Sequence, residues 1–230
     1  MQRKSKTGRR ARPPFTSRLM VVGGQSRKVG KTALVVDLIK AFPKCRWTAV
    51  KITPYVESGC PVRGANCPCG PGKHTFAIRI EKSRRGTTDT SRFLAAGAQK
   101  AVWVQTKSGR LKGALSALAS AIGDAENVIV ESNAILSHWQ ADLFLLVIDP
   151  SNPDFKSSAR TVKRLADAFV FRSPYARGAH PKGALIPKSG RPKFFHPLGT
   201  AIPATMQEFV RQRFLQTGHP KAGQPRSIFS

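Results

Sequence analysis

The sequence predicts a three-layer α/β fold, with a mainly parallel sheet lying between two layers of helix. Short apolar runs without polar alternation recur along the chain, as in strands buried on both faces. Helix-period segments separate these runs, and regular alternation of strand and helix implies right-handed crossovers between parallel strands. A glycine-rich turn at residues 23–32 joins the first strand to the first helix.

The elements follow in order. Residues 18–22, Arg-Leu-Met-Val-Val, read as a short buried strand. After the turn, Leu34, Val35, Leu38 and Ile39 recur at helical spacing in a helix over about 30–41, which Pro43 stops. Residues 47–53 form the second strand, and 54–74 a long loop rich in Gly, Pro and Cys. Strands are then expected at 75–81, 101–106, 127–131, 143–149 and 168–171, with helices at about 90–98, 111–122 and 157–166. From Arg172 onward prolines weaken the pattern until residues 205–216 read as a last amphipathic helix, and Phe194 and Phe195 read as core or hinge residues. The expected organisation is a basic flexible tail over 1–17, a nucleotide-binding domain over 18–171 with a Cys-rich insertion at 54–74, and a basic extension over 172–230.

Composition fits a folded domain, since 40% of the 230 residues are hydrophobic. The charge is unusual: 39 Lys and Arg against 12 Asp and Glu give a formal +27. Such a field attracts nucleotides, nucleic acid and anionic membrane surfaces alike and does not choose among them. Much of it lies at the ends. Arg3, Lys4, Lys6, Arg9, Arg10 and Arg12 stand without an acid in residues 1–17, which read as a solvated tail, and beyond Asp167 the only acid is Glu208. No apolar run reaches the roughly 20 residues of a membrane span. The start of the chain lacks the apolar core of a signal peptide, so a cytoplasmic location is the expectation.

The turn reads Gly23-Gly24-Gln25-Ser26-Arg27-Lys28-Val29-Gly30-Lys31-Thr32, after a strand and before a helix. Consecutive backbone N–H groups at a helix start cradle phosphates, a lysine reaches their outer oxygens, and a Thr hydroxyl ligates Mg²⁺. Residues 24–32 are therefore the expected nucleotide-binding loop of a P-loop NTPase: Gly24, Gln25, Ser26, Arg27, Lys28, Val29, Gly30, Lys31 and Thr32. Gln25 holds the place where the first glycine usually stands, and Gly24 lies one residue further out.

That spacing, with Val29 before the second glycine, resembles the loop of dethiobiotin synthetase. More broadly, residues 18–170 are similar to the group containing molybdopterin-guanine dinucleotide biosynthesis protein B. Loops of that group often carry a further lysine where Ser26 stands here. The resemblance extends to Lys51 at the end of the second strand, to Asp89-Thr-Ser-Arg92 followed by Ala95-Ala-Gly-Ala98, and to Val128-Ile-Val-Glu131. In the group's pattern a Gly follows that glutamate, whereas Ser132 and Asn133 follow it here. The resemblance implies that Lys51 steadies a phosphate or substrate and that Glu131 faces the metal. Lys31, Lys51 and Glu131 are then the expected catalytic set, and Thr32, Asp89 and Glu131 the Mg²⁺ set.

Ligands of such sheets bind beyond the carboxyl ends of strands, where Lys51, Glu131 and Asp149 fall. Asp149-Pro150 also reads as an ordinary turn, and Asp37 as a solvated position on the first helix. No guanine-reading Asn-Lys-x-Asp follows a late strand, so ATP is expected ahead of GTP.

Cys60, Cys67, Cys69 and His74 offer four N and S ligands on a bent loop, a set suited to structural Zn²⁺ or to an Fe–S cluster. Free thiols and a redox disulfide are the alternatives. The function expected is a Mg²⁺-dependent nucleoside triphosphate-binding protein or NTPase, such as a cofactor-biosynthesis adaptor of the molybdopterin-guanine dinucleotide type. A small-molecule kinase or ATP-dependent ligase, and a nucleic-acid-associated NTPase using the basic tails, are the alternatives. A nucleoside triphosphate, a biosynthetic partner protein and a second copy of the chain are the partners to expect.

Overall fold

A computed structural model describes residues 11–55, 74–172 and 190–216. Its strands are β1 (Arg18–Gly24), β2 (Trp47–Tyr55), β3 (Phe76–Ile80), β4 (Lys100–Lys107), β5 (Asn127–Glu131), β6 (Leu143–Ile148), β7 (Ala168–Phe171) and β8 (Lys193–Phe195). They form one sheet in the order β3-β4-β2-β5-β1-β6-β7-β8. Every neighbouring pair is parallel except β3 with β4. The helices are α1 (Lys31–Ala41), α2 (Asp89–Ala95), α3 (Leu115–Ile122), α4 (Ser157–Val162) and α5 (Ala204–Val210).

Strand side chains alternate between two cores. Met20, Val22, Ala49 and Ile129 face one way and meet Leu34, Val35, Leu38 and Ile39 of α1, Phe93 of α2, and Met206 and Val210 of α5. Leu19, Val21, Val50 and Val128 face the other way and meet Leu118 and Ile122 of α3 and Ala159 and Val162 of α4. The molecule is thus a three-layer α/β sandwich around a mainly parallel sheet. β1 lies inside the sheet between β5 and β6, so the turn that follows it opens at the sheet's centre.

Local chemistry sets the element ends. α1 follows Gly30, whose φ of 91° favours a residue without Cβ, and it ends at Phe42 before Pro43. The Thr88 hydroxyl caps α2 by accepting the Ser91 N–H at 3.1 Å. Gly123 closes α3 at φ 62°.

Several elements differ from the sequence expectation. The strand expected at 75–81 is the antiparallel edge strand β3, because an apolar pattern carries no direction. The helix expected at 111–122 opens as a 3₁₀ turn over Leu111–Ala114, and that expected at 157–166 tightens into 3₁₀ at Lys163–Leu165. The last helix gives way to a π-turn over Arg211–Leu215. The three-residue strand β8 is too short to show a period, and it pairs with β7. Phe194 packs against the α5 side core, 5.3 Å from the Phe209 ring, whereas Phe195 is exposed.

β5 stops at Glu131, opposite Lys51, while β2 runs on to Tyr55 and β4 to Lys107. Phe214, beyond α5, stacks on Trp47 at 5.6 Å and 16°. Within the N-terminal segment, Phe15 meets Trp139 edge-on at 5.1 Å and the Ser17 hydroxyl donates to Ala125 O. Among the described residues no helix is long and apolar enough to cross a membrane.

Candidate phosphate-binding site

The turn between β1 and α1 is pinned from below. Gly24 N–H donates to Asn133 Oδ1, and Asn133 Nδ2 donates to Gly24 O, each at 2.9 Å. Gln25 is 2% exposed. Its N–H bonds Val147 O at 2.9 Å, its side-chain nitrogen donates to Asn152 O at 2.5 Å and Asp154 O at 3.1 Å, and its side-chain oxygen accepts Asp149 N–H at 3.0 Å. Gln25 therefore ties the turn to the segment after β6. Its side chain is fully engaged in structure, which explains how a bulky amide can stand where a glycine is usual.

Beyond Gln25 the backbone curls over the start of α1. Lys28 has φ 58° and Gly30 φ 91°, and Val29 tucks inward while Arg27 and Lys28 are exposed. Lys31 arches back across the curl, and its ammonium donates to Ser26 O at 2.8 Å. A Cβ on Gly24 would stand 2.8 Å from Lys31 Cγ and Cδ, so the lysine's path needs a glycine there. Burial lowers the Lys31 pKa, with Glu131 opposing the shift and Lys51 reinforcing it. Strand, curled glycine-rich turn, lysine and helix stand in the P-loop arrangement. This is a P-loop α/β fold.

No protein-family model matches the chain, and no curated protein matches it either. Among solved structures, the chain is similar to LpxK from Aquifex aeolicus in complex with ATP, at 19% identity and a TM-score of 0.48 over 81% of this chain and 55% of that one. It is similar to HypB from Helicobacter pylori in complex with nickel, at 13% identity and a TM-score of 0.49 over 86% and 87% of the two chains. A Zn(II)-bound triple mutant of the YjiA GTPase follows, at 12% identity and a TM-score of 0.43 over 83% and 61%. The chain thus spans little more than half the LpxK chain and under two thirds of the YjiA chain.

At the end of the P-loop, four predicted residues meet. Thr32 Oγ1 donates to Glu131 Oε2 at 2.8 Å. The Lys51 ammonium donates to Glu131 Oε1, lies 3.2 Å from Thr32 Oγ1 and pairs with Asp89 Oδ2 at 3.0 Å. Arg92 flanks Asp89 at 3.7 Å. Asp89 opens α2 just after the Thr88 cap, Lys51 rises from β2, and Glu131 ends β5. The side chain of Lys51 is 13% exposed and that of Glu131 only 2%. A buried carboxylate needs such a partner, because leaving it ionised and alone costs several kcal/mol.

Asp149 stands apart from this cluster. Its Oδ1 accepts Ser151 N–H at 3.0 Å and Ser151 Oγ–H at 2.6 Å, the pattern of an Asx turn. Cys60, Cys67 and Cys69 lie outside the described residues. His74 lies at the edge of the description, where its carbonyl accepts the Tyr55 hydroxyl at 2.8 Å. Among the described residues no group of His, Cys, Asp and Glu could hold a metal through three or more of those side chains.

Sequence reasoning missed a second network. Arg172, just past β7, donates through Nη2 to Gly30 O at 2.6 Å and through Nη1 to His196 O at 3.0 Å. His196 is fully buried, with Nε2 2.9 Å from Asp37 Oδ2 and Nδ1 3.2 Å from Thr200 Oγ1. Asp37 is therefore not a solvated helix position: the segment after β8 covers it and supplies an imidazole partner. Burial lowers the His196 pKa, opposed chiefly by the hydrogen bond to Asp37. Only the acidity of Asp37 within an otherwise apolar helix face could have hinted at this partner.

Proposed function

We propose that the chain binds a nucleoside triphosphate together with Mg²⁺ and hydrolyses it or transfers its terminal phosphoryl group. The observation that carries this reading is the course of Lys31 over the curled turn, with its ammonium on Ser26 O at 2.8 Å. An anion entering the curl meets the ammonium, the first N–H groups of α1 and the positive end of that helix together. Lys31 would then exchange a neutral carbonyl for phosphate oxygens, a stronger charge-assisted contact.

Hard oxygen donors suit Mg²⁺, and Thr32, Glu131 and Asp89 are such a set. The Thr32 hydroxyl is already directed at Glu131. These residues would hold the ion, which when bound neutralises charge on the outer phosphates. Lys51 stands at the same cluster, ready to balance charge on a phosphoryl group or on an acceptor. ATP is favoured over GTP in this reading, because Arg172-Ser-Pro, and no guanine-reading Asn-Lys-x-Asp, follows the late strand β7.

Two finer readings follow. The cofactor-biosynthesis adaptor is supported by the Asp89-Thr-Ser-Arg92 segment, whose first residue forms an ion pair with Lys51. A kinase or ligase is supported by the position of Lys51 itself. An acceptor-dependent burst of ADP would separate the second from the first.

Calorimetry with Mg·ATP and Mg·GTP tests the common reading. Wild-type chain should bind Mg·ATP, and Lys31→Ala should weaken that binding on the order of a hundredfold or more, since a charged partner of the phosphates is removed. Equal affinity in the two proteins would sink the proposal.

A further inference from the structure

The Lys51 ammonium sits where a metal ion would share ligands. Its three hydrogens face three oxygens: Glu131 Oε1, Asp89 Oδ2 at 3.0 Å and Thr32 Oγ1 at 3.2 Å. An ammonium has three donors and no acceptor, so this shell satisfies it completely. Those oxygens come from the same three side chains that offer the hard donor set for Mg²⁺. Two cations cannot share them, because Mg²⁺ draws its ligands to about 2.0–2.1 Å and an ammonium beside it would meet a double positive charge.

Resting on the nucleotide reading, we propose that Lys51 is the resident cation of a latent divalent-metal site formed by Thr32, Asp89 and Glu131. The ion enters only with a nucleotide, whose phosphates supply the charge needed to draw Lys51 away. Glu131 makes such a placeholder necessary. At 2% exposure its carboxylate calls for a neighbouring positive charge, and Lys51, itself 13% exposed, stands against it. Asp89, 39% exposed and shared with Arg92, forms the open side of the site through which exchange occurs. Once released, the ammonium stays tethered to β2 at Lys51, opposite the end of β5, and faces the entering phosphates. Free metal is therefore excluded from the resting chain, and the chain selects metal-loaded nucleotide over either component alone.

The test uses the full, nucleotide-free chain with manganese(II) as the probe, read by its electron paramagnetic resonance signal. Wild-type protein should leave the ion free, whereas Lys51→Met should bind one ion per chain at least about tenfold more tightly, because the buried Glu131 is then uncompensated. Adding Glu131→Gln to Lys51→Met should abolish the gain. Mg²⁺ alone should raise the melting temperature of Lys51→Met and leave the wild type unmoved. Should Lys51→Met not fold, Lys51→Gln keeps hydrogen-bond donors without charge and should show the same gain. Wild-type chain binding manganese as tightly as either variant would overturn the proposal, as would variants that gain nothing. Calorimetry of wild type with Mg·ATP stands separately: its failure would remove the nucleotide reading, whereas a missing manganese gain removes only the placeholder.

Discussion

His196 is fully enclosed, with Asp37 at one ring nitrogen and Thr200 at the other. In the unfolded chain its imidazole takes up a proton near the ordinary 6.5, while burial holds the folded form neutral to lower pH. Below that value the unfolded chain binds more protons. The contribution to stability is therefore complete above 6.5 and is lost as pH falls toward the depressed folded pKa. Denaturant unfolding between pH 6.5 and roughly pH 5 should show stability falling with acid, and His196→Gln should flatten that slope. His138 is also shifted down by burial and contributes a slope of its own, so the difference between the two proteins is the measurement. An identical slope in both would contradict the assignment. At this scale the sequence was legible where a motif or an element end marks the residue: Lys31 and Thr32 sit in one short motif, Asp89 opens a helix and Glu131 ends a strand, whereas Lys51 falls mid-way along β2. Asp37 and Arg172 were not legible, because no motif or periodic pattern marks them or their common partner His196.

Among the elements, the P-loop and α1 act together and α5 holds the layer in place. A Cβ added at Gly24 would press on Lys31 Cγ and Cδ at 2.8 Å and on Val29 Cγ1 at 2.7 Å. Gly24→Ala should therefore displace the lysine and weaken Mg·ATP on the order of tenfold, the reach of about 1.4 kcal/mol. Unfolding stability should change much less, since a lysine stem can swing aside. A calorimetric titration paired with a urea melt would distinguish loop damage from loss of fold. On α5's side, Phe214 is fully buried and stacks on Trp47. Phe214→Ala should cost about 3–5 kcal/mol of unfolding free energy, and a cost under about 1 kcal/mol would mean that this end is not seated on the core. Strong periodicity made α1 and the buried strands readable. β3's direction, the 3₁₀ openings and β8 depend on pairing between strands and on turns too short to carry a period.

For the molecule as a whole, the formal +27 predicts attraction to any polyanion. Binding to duplex DNA should weaken steeply as salt rises. Trimming residues 1–10, which removes Arg3, Lys4, Lys6, Arg9 and Arg10, should make log K fall less steeply with log salt. The slope should drop by up to about 0.9 for each phosphate that the tail no longer neutralises. A filter-binding series in roughly 50 to 200 mM salt measures it. An unchanged slope would remove the tail from the polyanion-binding surface and count against the nucleic-acid alternative. The layer architecture was readable because alternating strands and helices permit few topologies. The attachment of the segment after Arg172 was not, because its sheet pairing spans only three residues, Lys193–Phe195.

Arg172 reaches Gly30, and His196 reaches Asp37, across 142 and 159 positions of sequence. A growing chain on the ribosome exposes its phosphate turn long before those braces have been made. The turn gains its final support only after β8 and His196 have left the exit tunnel. A prematurely terminated product lacking these residues would carry the motif with its scaffold unfinished.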